Sequence, residues 1–178
     1  KKSAFFNKKV LTFLLFCAII KPSKGKETKI MTICFDMDGT IADLYGVENW
    51  LDYLLNGNAY PYKNAKPLIN MNLLARYLNK LQKMGFQIGI ISWLSKGSNE
   101  EYDKKVTDAK VAWLKKHLKS VNFNHVNIVN YGYGKYNFCT SENDILFDDE
   151  EKNRSEWTGK AYNVNNILNI LKGLAVAC

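Results

Sequence analysis

Residues 33–43 read ICFDMDGTIAD. A short apolar run ends in Asp36 and Asp38, one residue apart, and Gly39-Thr40 leads into a second apolar step. A carboxylate at the mouth of a buried strand is costly to desolvate. The pair is therefore either an acidic turn of the kind that ends many strands, or two acids held in place for chemistry. What the rest of the chain delivers to the same place decides between them.

Outward from this stretch, KIMTICF (29–35) is a continuous apolar run of strand length, the pattern of a strand buried on both faces. Residues 44–58 place Val47, Trp50, Leu51, Leu54 and Leu55 at helical spacing before Asn56-Gly57. YPYKNAKP, with Pro61 and Pro67, reads as a loop. Residues 70–84 predict a helix with Leu74, Tyr77, Leu78, Leu81 and Met84 on one face, ended by Gly85. FQIGIIS (86–92) is a second buried strand. Ser98 and Glu101 have the spacing of a capping box and open a helix on Tyr102, Val106, Ala109 and Trp113 that runs to Leu118. VNIVNY (126–131) and DILFDD (144–149) are short strands; AYNV and NNILNILKGL supply a last strand and a closing helix. Apolar strands alternating with helices predict an α/β, three-layer Rossmann-like fold, with a central parallel sheet and helices on both faces.

In such sheets reactive groups collect at the carboxyl ends of the strands. The first strand ends in Asp36 and Asp38, the second in Ser92, the third runs into YGYGK with Lys135, and the fourth ends in Asp148-Asp149. One such residue is an ordinary turn; acids, a hydroxyl and a lysine on one edge are not. Gathered carboxylates repel unless a proton or cation relieves them, and hard oxygen donors favour Mg²⁺.

FDMDGT, IGIIS, a lysine and ILFDD, in that order across residues 30–171, resemble the haloacid dehalogenase-like (HAD) hydrolase superfamily. A receiver domain also carries acids, a hydroxyl and a lysine, but its lysine comes last, whereas here an acidic pair follows it. The resemblance implies that Asp36 is a nucleophile forming an aspartyl-phosphate. Asp38 is then the general acid and later the general base, and its presence argues for phosphate over carbon–halogen chemistry. Thr40 orients the acids, Ser92 bonds a phosphoryl oxygen, and Lys135 offsets charge between nucleophile and phosphate. Lys110 and Lys115 compete for that last role; Lys135 is preferred because Gly132 and Gly134 form a loop at the active edge, while the helix lysines are expected among exposed charges. Asp148 binds Mg²⁺ with the Asp36 carboxylate and the Asp38 carbonyl, and Asp149 holds a metal-bound water. Asn153 either positions the metal loop or is a polar turn residue.

A cap inserted after the first motif selects substrate in this superfamily, and residues 43–69 are the candidate here, enough for one small helix and a loop. Of the insert's aromatics Tyr45, Trp50, Tyr53, Tyr60 and Tyr62, Trp50 and Tyr53 are expected to pack the helix on the sheet rather than to stack a base. Thr40, Ser92, Trp93 and Lys96 are the substrate-facing candidates, the last two for a base and a phosphate. The small size and layout resemble deoxyribonucleotidase-like phosphatases and imply a small phosphorylated metabolite such as a nucleotide monophosphate. The expectation is a Mg²⁺-dependent phosphatase of the 5′-nucleotidase type. The alternatives are a polynucleotide-end phosphatase and a non-catalytic HAD-fold binding protein; the complete motif set argues against the latter.

The net charge of +8 gives no strong nucleic-acid signal once it is located. Residues 1–29 hold eight lysines and one acid, which leaves 17 basic and 16 acidic residues in residues 30–178, the candidate domain. The leader joins KKSAFFNKK to the apolar run Val10–Ile20, too short for a membrane span of roughly 20 residues. It reads as a secretory signal, a membrane-associating tail or non-native upstream sequence. The last is the reading taken, because the body begins at Met31, the first methionine in the sequence. The four cysteines show no metal-ligand spacing, Cys34 reads as a small core residue, and a cytoplasmic location is expected.

Overall fold

The computed structural model describes residues 30–176. The leader reading for residues 1–29 lies outside them. A five-stranded sheet forms from β1 (Thr32–Phe35), β4 (Gln87–Trp93), β5 (His125–Val129), β6 (Ile145–Phe147) and β7 (Lys160–Tyr162). Its order is β5-β4-β1-β6-β7, and every neighbouring pair is parallel. This is the α/β Rossmann-like architecture that the apolar strands predict. β1 is central, and Phe35 is in register with both Ile90 and Phe147. The residues just past β1 and β6 therefore emerge side by side, and the Asp36 N–H donates to the Phe147 carbonyl at 2.9 Å.

Alternation along the strands sends Ile33, Phe35, Ile88, Ile90, Ile145 and Phe147 to one face. There they meet Leu74, Leu78 and Leu81 of α3 (Met71–Lys83), Trp113 and Leu114 of α4 (Glu100–His117), and Ile167, Leu171 and Leu174 of α6 (Ile167–Val176). The opposite face, Cys34, Ile91 and Leu146, lies under Trp157, which follows the short helix α5 (Glu151–Glu156), with Phe138 and Cys139 packed beside it. The helices flank the sheet unequally: the long ones share one face, and the other has a thin cover. Among the described residues no helix is long and apolar enough to cross a membrane.

Two local readings need correction. The cap of α4 is Asn99, whose side chain accepts from the Tyr102 N–H at 2.9 Å, while Ser98 bonds the Ser95 carbonyl instead of serving as a capping-box residue. Asparagine is at least as good a cap as serine and lies one residue nearer the helix. The insert also differs. Its helix α1 is only Trp50–Leu55, entered through Asn49 at φ 56°, and none of its residues is buried. Trp50 meets Tyr45 edge-on at 5.0 Å and Tyr53 stacks on Tyr60 at 5.0 Å, so neither packs the helix on the sheet. The proline-containing stretch read as a loop holds α2 (Tyr60–Asn64), with Pro61 in its first turn, where a missing N–H costs nothing. Pro67 lies in a two-residue strand, β3 (Lys66–Pro67), antiparallel to β2 (Ala42–Asp43). A bond from Trp113 Nε1 to the Ala65 carbonyl, 2.7 Å and buried, ties the insert to α4.

Candidate active site

The carboxyl edge of the sheet carries Asp36 and Asp38 after β1, Ser92 near the end of β4, and Asp148-Asp149 after β6; Lys135 starts a 3₁₀ turn, Lys135–Phe138, beyond β5. Asp36, Asp148 and Asp149 each bring one carboxylate oxygen within 4.8 Å of the others. Lys135 sits between two of them, with Nζ 2.9 Å from Asp36 Oδ1 and 2.7 Å from Asp148 Oδ2. Burial works against its ammonium, but Asp36 and Asp148 outweigh that and hold its pKa above the ordinary lysine value. Burial, with Asp36 close by, pushes the Asp148 carboxyl up, and Lys135 opposes the rise.

The loops are held by their neighbours. Asp148 Oδ1 accepts from the Glu150 N–H at 2.9 Å, and the Asn153 amide donates to both Asp148 oxygens at 3.2 Å. Asn153 lies buried in α5 against Asp148 rather than in a polar turn. Arg154, which sequence reasoning passed over, donates to the carbonyls of Asp148 and Asp149 at 2.9 and 2.6 Å and pins the acidic pair from behind. Gly39 adopts φ 75°, and a Cβ there would lie 2.5 Å from Asp149 Oδ2, so only glycine lets this loop approach the acidic pair.

Asp38 is bound to a lysine that the sequence reading placed among exposed charges. Lys110 is completely buried, and its Nζ lies 2.5 Å from Asp38 Oδ2, 2.9 Å from Ser92 Oγ and 2.6 Å from the Trp93 carbonyl. Lys115, its competitor in the sequence, is exposed near the end of α4. The missed signal was the position: Lys110 is four residues past Val106 and three before Trp113, on the buried stripe of α4. Burial pushes the Asp38 carboxyl above its ordinary range, Lys110 opposes this, and Asp36 adds to it.

Against this edge lies a cavity of about 740 Å³, within the size range of small-molecule sites. Asp36, Asp38, Asp149 and Lys135 line its polar end, and Leu51, Leu54 and Leu55 of the insert line another wall. Trp93 and Lys96 also face it. The Trp93 indole is fixed by a bond from Nε1 to the Tyr133 carbonyl at 2.9 Å and packs on Tyr131 at 5.1 Å. Lys96 lies over the Tyr131 ring at 5.8 Å. Thr40 and Ser92 are placed differently: both are fully enclosed behind the cavity wall, Thr40 against Asp149 and Ser92 against Lys110.

No family model matches the sequence. No curated protein matches it either. Among solved structures, D,D-heptose 1,7-bisphosphate phosphatase from Burkholderia thailandensis is similar with a TM-score of 0.44 and 11% identity, over 70% of each chain. A chain of the Pnkp1/Rnl/Hen1 complex is similar with a TM-score of 0.47 and 13% identity, over 80% of this chain and 51% of that one.

Metal chemistry can be tested on the donor set itself. Asp36, Asp148 and Asp149 offer hard oxygens with no imidazole or thiolate among them, and a single ammonium, Lys135, bridges two of the three. A cluster with this excess of negative charge suits a hard divalent cation such as Mg²⁺.

Proposed function

We propose that the chain is a HAD-type, Mg²⁺-dependent phosphomonoester hydrolase acting through an aspartyl-phosphate at Asp36. The observation that carries this reading is a division of labour between two acids on one cavity wall. Asp36 is held by Lys135 beside the Asp148-Asp149 pair, while Asp38, two residues on, is held apart by Lys110. One carboxylate is thus disposed for attack within the acidic cluster and the other for proton transfer beside it.

In the first step an Asp36 oxygen attacks phosphorus, the ester P–O bond breaks, and Asp38 protonates the departing oxygen. In the second, Asp38 takes a proton from water, the resulting hydroxide displaces Asp36 from phosphorus, and inorganic phosphate is released. Lys135 lines the cavity and offsets charge at the phosphoryl oxygens. Asp36, Asp148 and Asp149 would hold Mg²⁺, which when bound supplies further neutralisation of phosphoryl charge. Thr40 and Ser92 serve this site from behind the wall, through Asp149 and Lys110.

The finer reading is a nucleotide monophosphate substrate. Lys135 Nζ lies over the Trp93 ring, 4.9 Å from its centre, so a phosphate held at Lys135 brings an attached base within reach of the indole. The test is turnover by the full chain with Mg²⁺ on an aryl phosphate and a panel of nucleotides. Wild-type turnover that is lost in Asp36→Asn, with Trp93→Ala raising KM for nucleotides more than for the aryl ester, is the expected result. No turnover, or turnover undiminished in Asp36→Asn, overturns the hydrolase reading. Activity confined to 3′-phosphorylated oligonucleotides would replace the mononucleotide by a polynucleotide end.

A further inference from the structure

Lys110 has no part in the two steps above, yet it is one of the most enclosed side chains in the protein. A lysine is rarely buried without full compensation. Its ammonium carries three donors. Three oxygens face it at bonding distance, those of Asp38, Ser92 and the Trp93 main chain. The Tyr62 ring, 4.9 Å from Nζ, closes a further side. Lys110 does not line the cavity, whereas Asp38 does. With its donors taken and no face on the cavity, it has nothing to offer a substrate directly. Lys135 differs on both counts, because it lines the cavity and only two carboxylates engage it.

We propose that Lys110 is a positioning residue, which holds the Asp38 carboxyl in the orientation from which it exchanges a proton with the leaving oxygen. The anchor is rigid because Nζ is itself pinned by Ser92 Oγ and by the carbonyl of Trp93, both on strand β4, which pairs with β1 and β5. A carboxyl on a short side chain at a loop has two torsions to lose, and the ion pair removes that freedom before the substrate arrives. This also gives the enclosed Ser92 a purpose: it fixes the lysine that fixes the acid. The inference rests on the phosphomonoester reading and adds a residue to it.

Proton donation matters most when the leaving oxygen is basic and little when it is a good leaving group. Full-length wild type, Lys110→Met, Asp38→Asn and the double variant are therefore compared on phenyl phosphate and on 4-nitrophenyl phosphate with Mg²⁺. The ratio of the two kcat/KM values within one preparation does not depend on how much of the protein is folded. Lys110→Met is expected to lose on the order of 10²-fold on phenyl phosphate and less than about tenfold on the nitrophenyl ester, as expected for impaired general acid catalysis. Added to Asp38→Asn it should cost nothing further in that ratio. An equal loss on both esters, or a raised KM with an unchanged ratio, overturns the inference and makes Lys110 structural or a phosphate ligand. If Lys110→Met does not fold, Ser92→Ala loosens the same anchor; it should shift the ratio the same way by a smaller factor, and an unchanged ratio overturns the inference. A wild type inactive on both esters overturns the phosphomonoester reading, and this inference with it; an active wild type with an unshifted variant ratio overturns this inference alone.

Discussion

Thr40 and Asp149 exchange two hydrogen bonds across 109 residues of sequence: Thr40 Oγ1 donates to Asp149 Oδ1 at 3.1 Å and accepts from the Asp149 N–H at 3.1 Å. The clasp joins the loop after β1 to the loop after β6 and sets the distance between the DxD acids and the acidic pair. Thr40 is completely buried, so water does not reach its hydroxyl.

Thr40→Val keeps the shape and removes both bonds. It is expected to lower stability by about 1–3 kcal/mol, because the Asp149 N–H and carboxylate lose a buried partner. Chemical denaturation measures that loss. Thr40→Ser should retain most of the stability, and a valine variant as stable as wild type would show that the clasp contributes nothing.

Gly39→Ala strains the same junction from the other side. The backbone sits at φ 75°, which costs a non-glycine residue about 1–2 kcal/mol, and the new methyl would press on Asp149 and on Tyr45, 2.5 and 3.0 Å away. Both lower stability and reduced thermal protection by Mg²⁺ are expected. Melting curves with and without the ion separate the two effects; unchanged protection by Mg²⁺ would mean that Asp149 can move aside freely.

Burial, together with Asp36 and Asp148, pushes the Asp149 carboxyl from 3.8 up to about 6. A raised carboxyl means that the folded, metal-free protein binds more protons than the unfolded chain between those two values. The stability it contributes is complete below pH 3.8 and is lost as pH rises through about 6. A metal ligand must be deprotonated, so stabilisation by Mg²⁺ should grow as pH rises through about 6 and level off above it. Melting temperatures across that range, with chelator and with excess Mg²⁺, check the sign. Asp149→Asn should flatten the pH dependence, and an Mg²⁺ effect that shrinks with rising pH would contradict the assignment.

Much of this protein was legible in its sequence, for a local reason. A strand buried on both faces has to be apolar throughout, so β1, β4 and β6 stood out, and the polar residues at their ends stood out against them. Helices α3 and α4 could be read from their stripes, because burying one face of a 3.6-residue repeat needs no knowledge of the partner. The insert resisted the same treatment. Leu51, Leu54 and Leu55 show helical spacing, yet all three line a cavity and only Leu54 also packs against a core cluster, a difference that spacing alone does not reveal.

The sequence by itself determined the parallel α/β sheet and the candidate acids at its carboxyl edge, because apolar patterning and strand-end chemistry act within a few residues. Only the tertiary structure decided how the two lysines divide, with Lys135 between Asp36 and Asp148 and Lys110 closed in behind Asp38. It also decided that Ser92 and Thr40 stand behind the wall rather than on it. Burial of a charge is settled by partners 13, 72 or 109 residues away, and those partners meet only when the sheet is assembled.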